Sequence, residues 1–221
     1  MHYKRITLLA GHYGSGKTNI AVNLAEQLAK ERPNVAIADL DIVNPYYRTL
    51  DSKDRLAHAG IRLIVSRYAN TNLDIPALPQ DMYAVTDDRS LTCIIDVGGD
   101  DRGALALGRL SPKIREENDY DMFLVVNRFR PLTRDAYEVL EVLTEIETAG
   151  GLRFTGIINN SNLGAETTAQ TVLSSVEYGR QCSEVTGLPV VMTSVEASLT
   201  AELSGKIPDL FPMKLQKRPV D

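Results

Sequence analysis

Gly11-His12-Tyr13-Gly14-Ser15-Gly16-Lys17-Thr18 is the stretch that decides how this chain folds. It spells G-x-x-x-x-G-K-[ST], a loop whose backbone N–H groups cradle phosphate. Before it, Arg5-Ile6-Thr7-Leu8-Leu9-Ala10 is an apolar, strand-like run; after it, Asn19 to Lys30 reads as a helix with Ile20, Leu24 and Leu28 on one stripe. Strand, glycine loop and helix together aim main-chain amides and a helix N-terminus at an anion. Glycine is required because the loop takes positive φ and lets phosphate oxygens approach the backbone. The spacing predicts Gly11, Gly14, Ser15, Gly16, Lys17, Thr18 and Asn19 as nucleotide-binding residues. Lys17 is placed to reach the β- and γ-phosphates, and the Thr18 hydroxyl to ligate Mg²⁺.

Working outward, apolar and β-branched runs alternate with helical patterns almost to the C-terminus. Strands are expected at 5–10, 35–39, 61–65, 91–97, 121–127, 154–159 and 189–193. Runs such as Thr92-Cys93-Ile94-Ile95-Asp96-Val97 are apolar on both faces, as in a parallel sheet covered on both sides. A helix is expected from about Thr133, read as its N-cap, to Ala149, ended by Gly150-Gly151. A second is expected over 167–186, with Val172, Val176 and Val185 inward. The alternation predicts the α/β class: a doubly wound, mostly parallel sheet flanked by helices, a Rossmann-like three-layer sandwich. Residues 1–221 read as one nucleotide-binding domain, with an irregular, proline-containing tail over 205–221. Residues 66–90 read as a loop with a short helix after Pro79, suited equally to a functional segment or a surface excursion.

Composition narrows the class. A length of 221 residues with 43% hydrophobic and 24% charged content suits one soluble α/β unit. A net charge of −5 argues against a surface built to grip nucleic acid. No stretch has the apolar length of a membrane span. Met1-His2-Tyr3-Lys4-Arg5 leads straight into the first strand, so no signal peptide is expected and the location reads as cytoplasmic. Cys93 and Cys182 read as buried thiols rather than a disulfide or metal pair. Lys214, Lys217 and Arg218 beside Phe211 and Leu215 could touch a membrane or a partner, but a tail packed along the surface is preferred.

Acidic residues at strand ends sharpen the reading. Asp39 and Asp41 close the second strand, and Asp96 closes the run 92–97, followed by Val97-Gly98-Gly99-Asp100. A carboxylate there, beside a phosphate loop, can hold Mg²⁺ directly or through water. Gly99 leaves its N–H to meet a γ-phosphate.

These motifs resemble those of the MinD/ParA/CobQ-type P-loop ATPases, the deviant Walker A class. Asp96-Val97-Gly98-Gly99-Asp100 and Gly156-Ile157-Ile158-Asn159-Asn160-Ser161 are similar to the nitrogenase iron protein. The resemblance implies Asp41 as the residue that positions the attacking water, Asp39 and Asp96 as supports for Mg²⁺, and Asn160 as an adenine contact. It also implies a homodimer. The early-loop lysine that many members use across that dimer is His12 here, with Arg48, Arg102 and Arg128 as candidate substitutes. Gly103 stands where the iron protein has a cluster cysteine, so no iron–sulfur cluster is expected. Asn127-Arg128-Phe129-Arg130 lacks the aspartate of the guanine motif N-K-x-D, which favours ATP over GTP.

The expected function is Mg²⁺-dependent ATP binding and hydrolysis. Lys17 and Asp41 would be catalytic, and the loops 41–49 and 97–103 would act as a switch toward an unidentified protein partner or a second subunit. Two alternatives remain: an ATP-dependent small-molecule kinase or CobQ-like synthetase, and a nucleotide-gated scaffold with little turnover.

Overall fold

The computed structural model describes residues 2–40, 49–65, 78, 80–99 and 101–216. Its strands are β1 (Ile6–Ala10), β2 (Val35–Asp39), β3 (Arg62–Val65), β4 (Thr92–Asp96), β5 (Tyr120–Val126), β6 (Gly156–Asn159), β7 (Val190–Glu196) and β8 (Leu210–Met213). They form an eight-stranded sheet in the order β3-β2-β4-β1-β5-β6-β7-β8, with each neighbouring pair parallel. The helices are α1 (Lys17–Leu28), α2 (Lys53–His58), α3 (Ala84–Asp87), α4 (Asp101–Glu117), α5 (Ala136–Gly150), α6 (Ala169–Leu173), α7 (Val176–Thr186) and α8 (Thr200–Leu203).

The central strands are apolar on both faces because both are covered. Side chains alternate across the sheet. Ile6, Leu8, Ala38, Cys93, Ile95, Met122 and Leu124 enter one core with residues of α4, α5 and α7. Leu9, Val35, Ile37, Ile94, Phe123 and Val125 enter the other with α1 and Leu56 of α2. A smaller cluster of Ala169, Val172, Val195, Leu203 and Ile207 closes the β7 side. At the N-terminal end of the sheet, Arg5 pairs with Glu117 and donates to the carbonyls of Val85 and Leu91. That tie fastens β1 to the ends of α3 and α4.

The parallel sheet and its seven expected strands are all present. Four local expectations are corrected. The helix expected from Thr133 begins instead after Asp135, whose carboxylate accepts from the N–H groups of Tyr137 and Glu138. Thr133 is buried and spends its hydroxyl on Asn127 O, at 2.8 Å. The helix expected over 167–186 breaks between α6 and α7, where the Ser174 and Ser175 hydroxyls bond back to Thr171 O and Val172 O. Val176 is consequently exposed rather than inward.

The third correction concerns α4, a 17-residue helix that the sequence reading lacks. Gly103, Gly108, Ser111 and Pro112 hide its period. Pro112 has no N–H for the Gly108 carbonyl, and the Ser111 hydroxyl bonds that oxygen at 3.1 Å. Fourth, the tail is not irregular throughout. Its residues 210–213 form β8 and bury Phe211 and Met213. Pro212 is tolerated because β8 is an edge strand with one neighbour. In the 66–90 region, residues 80–83 form a 3₁₀ turn that leads into α3, as expected after Pro79; residues 66–77 and 79 lie outside the described residues. No described helix is long and apolar enough to cross a membrane.

Both cysteines are free and buried. Burial pushes the Cys93 thiol up to about 12 and the Cys182 thiol up to about 11. Since the thiolate is the reactive form, neither should react with an aromatic disulfide reagent at pH 8 in the native protein, and both should react in denaturant. Rapid stoichiometric labelling of the native chain, followed by absorbance, would contradict the described burial.

Candidate functional site

The site lies at the carboxyl ends of the central strands, where β1 turns into α1. Three glycines shape that turn. Gly11, Gly14 and Gly16 have φ of 147°, 77° and 93°, values that side chains rarely adopt. A Cβ on Gly11 would lie 2.5 Å from Val125 O, and one on Gly16 would lie 2.2 Å from Asn160 Nδ2. Lys17 folds back over the loop it follows. Its ammonium donates to Gly11 O at 2.9 Å and His12 O at 3.2 Å.

The carboxylates come from neighbouring strands at one level. Asp39 and Asp96 are register partners at the ends of β2 and β4. Alternation sets Asp39 on the side of Val35 and Ile37, and Asp96 on the side of Ile94. That is the α1 side of the sheet. Thr18, in the first turn of α1, donates to Asp96 Oδ2 at 2.7 Å. The Thr49 hydroxyl, fully buried, donates to the same oxygen at 3.2 Å. Thr49 ends the expected switch loop 41–49, where no motif assigned its hydroxyl a role; it meets Asp96 through the fold.

Gly99 packs against the loop from the other side. A Cβ there would lie 2.6 Å from Tyr13 N and 2.9 Å from its Cα. The segment after β4 therefore rests directly on the His12–Tyr13 peptide.

Asn160 is nearly fully buried and both ends of its amide are engaged. Nδ2 donates to Ser15 O at 2.6 Å, and Oδ1 accepts from Ser194 Oγ at 2.7 Å. It ties the phosphate loop to β7. Asn127, the nearest match to a base-reading motif, is likewise internal, accepting from the N–H groups of Phe129 and Asn162. The Asn19 side chain is also engaged, accepting from Gln216 N at 2.9 Å. Arg128 lies over the rings of Phe129 and Tyr178 and donates to Ser174 O. Asp41, Arg48 and Asp100 lie outside the described residues, as does the Arg102 side chain.

The residues present fit a phosphate and a hard cation. Buried polar atoms are nearly always hydrogen-bonded, yet Ser15 Oγ is buried in the loop without a partner. The positive-φ glycines set the loop against the N-terminus of α1, where backbone amides favour an anion. No group of three or more metal-ligating side chains occurs among the described residues. A site with one or two carboxylates and a threonine hydroxyl suits Mg²⁺ completed by phosphate and water, rather than an all-protein cage.

The family model described as the CobQ/CobB/MinD/ParA nucleotide binding domain matches residues 6–171. No curated protein matches the sequence. Among solved structures, the cell division protein FtsY of Thermotoga maritima superposes with a TM-score of 0.58 at 18% identity, covering 86% of this chain and 61% of that one. FtsY of Mycoplasma mycoides gives 0.54 at 18% identity, covering 86% of this chain and 59% of that one. The signal recognition particle 54 kDa protein of Aeropyrum pernix, solved in complex with GDP, gives 0.55 at 17% identity, covering 87% and 41%. This chain thus spans less than two thirds of each, and at these identities the likeness is one of fold.

Replacing Asn160 by Ala would strip Ser15 O and Ser194 Oγ of their partner. Removing one side of a buried hydrogen bond costs about 1–3 kcal/mol. Urea unfolding of Asn160→Ala should show a loss in that range, and an unchanged midpoint would contradict the anchoring role.

Proposed function

The chain belongs to the CobQ/CobB/MinD/ParA nucleotide-binding domain family, and we propose that it is a magnesium-dependent ATPase working as a conformational switch. The observation that carries this reading is the meeting of Thr18, from the loop helix, and Thr49, from beyond the 41–48 segment, on one oxygen of Asp96. That oxygen ties the phosphate loop to a segment beside it, as a switch requires.

The Lys17 ammonium and the amides of residues 14–18 stabilise charge on the β- and γ-phosphates, the electrostatic share of phosphoryl transfer. Thr18, Asp39 and Asp96 hold the metal and its water. Magnesium supplies charge neutralisation along the phosphate chain when bound. Asp41 orients the attacking water. Gly99, resting on the His12–Tyr13 peptide, carries any movement of the loop into the segment 97–103. The output falls on a protein partner or a second copy of the chain, and the setting is the cytoplasm.

Adenine is favoured because no aspartate stands two residues after Arg128. A guanine nucleotide is the second reading, favoured by the GDP complex of the signal recognition particle protein.

Phosphate release by the full chain with magnesium and ATP or GTP tests both. Lys17→Ala should lower turnover by about 10²–10³-fold, the usual effect of losing one such donor. Asp41→Ala should keep ATP binding and slow turnover by about 10²-fold, as for loss of a positioned base. Normal turnover in Asp41→Ala would refute its role, GTP preference would replace ATP, and hydrolysis that waits for an added metabolite would favour the small-molecule kinase or CobQ-like synthetase.

A further inference from the structure

The C-terminal segment after β8 leaves the sheet edge and runs along α1. Two bonds set its register: Lys214 N donates to Asn23 Oδ1 at 2.8 Å, and Gln216 N donates to Asn19 Oδ1 at 2.9 Å. The match is geometric. Four helical residues rise about 6 Å, and two extended residues rise about 6.6 Å. An asparagine pair at i and i+4 therefore meets alternate amides of an extended strand. Asn23 Nδ2 returns a bond to Lys214 O at 3.0 Å, and Arg55 Nη1 adds another to that carbonyl at 3.2 Å. Arg55 is itself held by Glu26 of α1. The segment is thus clamped between α1 and α2.

Its last described residue goes further. Gln216 Nε2 donates to Ser52 Oγ at 2.7 Å. Ser52 is buried and ends the 3₁₀ turn that begins at Thr49. Following the contacts gives a closed ring. Gln216 holds Asn19, the chain links Asn19 to Thr18, and Thr18 meets Asp96. Asp96 meets Thr49, the turn links Thr49 to Ser52, and Ser52 returns to Gln216.

We infer that Gln216 is a positioning residue: it closes this ring and so sets where Thr18 and Thr49 meet Asp96. The C-terminal segment is then a part of the metal-binding geometry without touching metal or nucleotide. This rests on the nucleotide reading for its consequence and on the ring alone for its structure. The separation matters for the test. Removing Gln216 leaves the glycine cradle and Lys17 intact, so phosphate affinity without metal should hold. The hydroxyl set around Asp96 loosens, so the demand for magnesium should rise.

The experiment uses the full chain with Gln216→Ala, Gln216→Glu and Ser52→Ala. Without any nucleotide, amide hydrogen exchange over residues 52–59 should quicken about fivefold in Gln216→Ala, while core amides of β1 and β5 stay protected, because local opening is governed by local contacts. In calorimetry with ATP, the magnesium concentration for half-maximal binding should rise about tenfold, the low end of what losing a ligand-orienting partner costs. ATP affinity in chelator should change by less than about twofold, since the phosphate cradle is untouched. Ser52→Ala should reproduce Gln216→Ala. Gln216→Glu should stay near wild type, because the Ser52 hydroxyl can turn and donate to the carboxylate. Unchanged exchange over residues 52–59 in Gln216→Ala overturns the inference, as does an unchanged magnesium requirement in a chain that binds ATP. If the wild type binds no nucleotide, the functional reading fails and the exchange result alone decides whether the ring exists.

Discussion

One oxygen of Asp96 receives two hydroxyls from separate parts of the chain. Thr18 arrives with α1 and Thr49 with the turn before α2. The sheet brings Asp96 to the phosphate loop. β4 lies between β1 and β2, so the end of β4 is flanked by the loop after one and the carboxylate ending the other. Asp39 and Asp96 pair in register, and alternation turns both toward α1, whose first turn holds Thr18. A hydrogen bond to an ionised acceptor is worth roughly twice a neutral one. This shared acceptor fixes the first turn of α1 relative to β4.

The loop itself is set from several sides. Asn160 holds Ser15 from the β6 end, and Ser194 holds Asn160 from β7. Gly11 lies against Val125 O, and Gly99 lies against Tyr13. A loop fixed in this way presents its amides before a ligand arrives and forfeits little ordering entropy on binding. The same rigidity makes the Gly99 contact informative. With no room for a Cβ at Gly99, the loop and the segment after β4 lie in direct backbone contact.

The strands and the loop could be read from the sequence because their signals are local. Two-faced burial writes continuous apolar runs, and the phosphate loop writes glycines at fixed offsets. What was hidden is long-range or locally ambiguous. In α4, glycine, serine and proline obscure a helix that folds because Gly108 lets it approach α5 and Ser111 serves the carbonyl Pro112 abandons. Thr133 and Asp135 are both plausible caps, and burial of Thr133 against Asn127 O leaves the capping bonds to Asp135. Pro212 argues against a strand until β8 proves to be at the sheet edge. The bonds of Asn160 and Asn19 reach 145 and 197 residues along the chain, beyond any local pattern.

On the proposed function, this prebuilt group of loop amides, Thr18 and Asp96 takes up a magnesium–triphosphate. Calorimetric titration of ATP into wild-type chain and Thr18→Val, each with magnesium and with chelator, is the decisive experiment. The expected result is one-site binding whose magnesium-dependent gain disappears in Thr18→Val, since the hydroxyl is the only group removed. Absence of binding to the folded wild type at millimolar ATP, or an equal magnesium gain in both proteins, would contradict it.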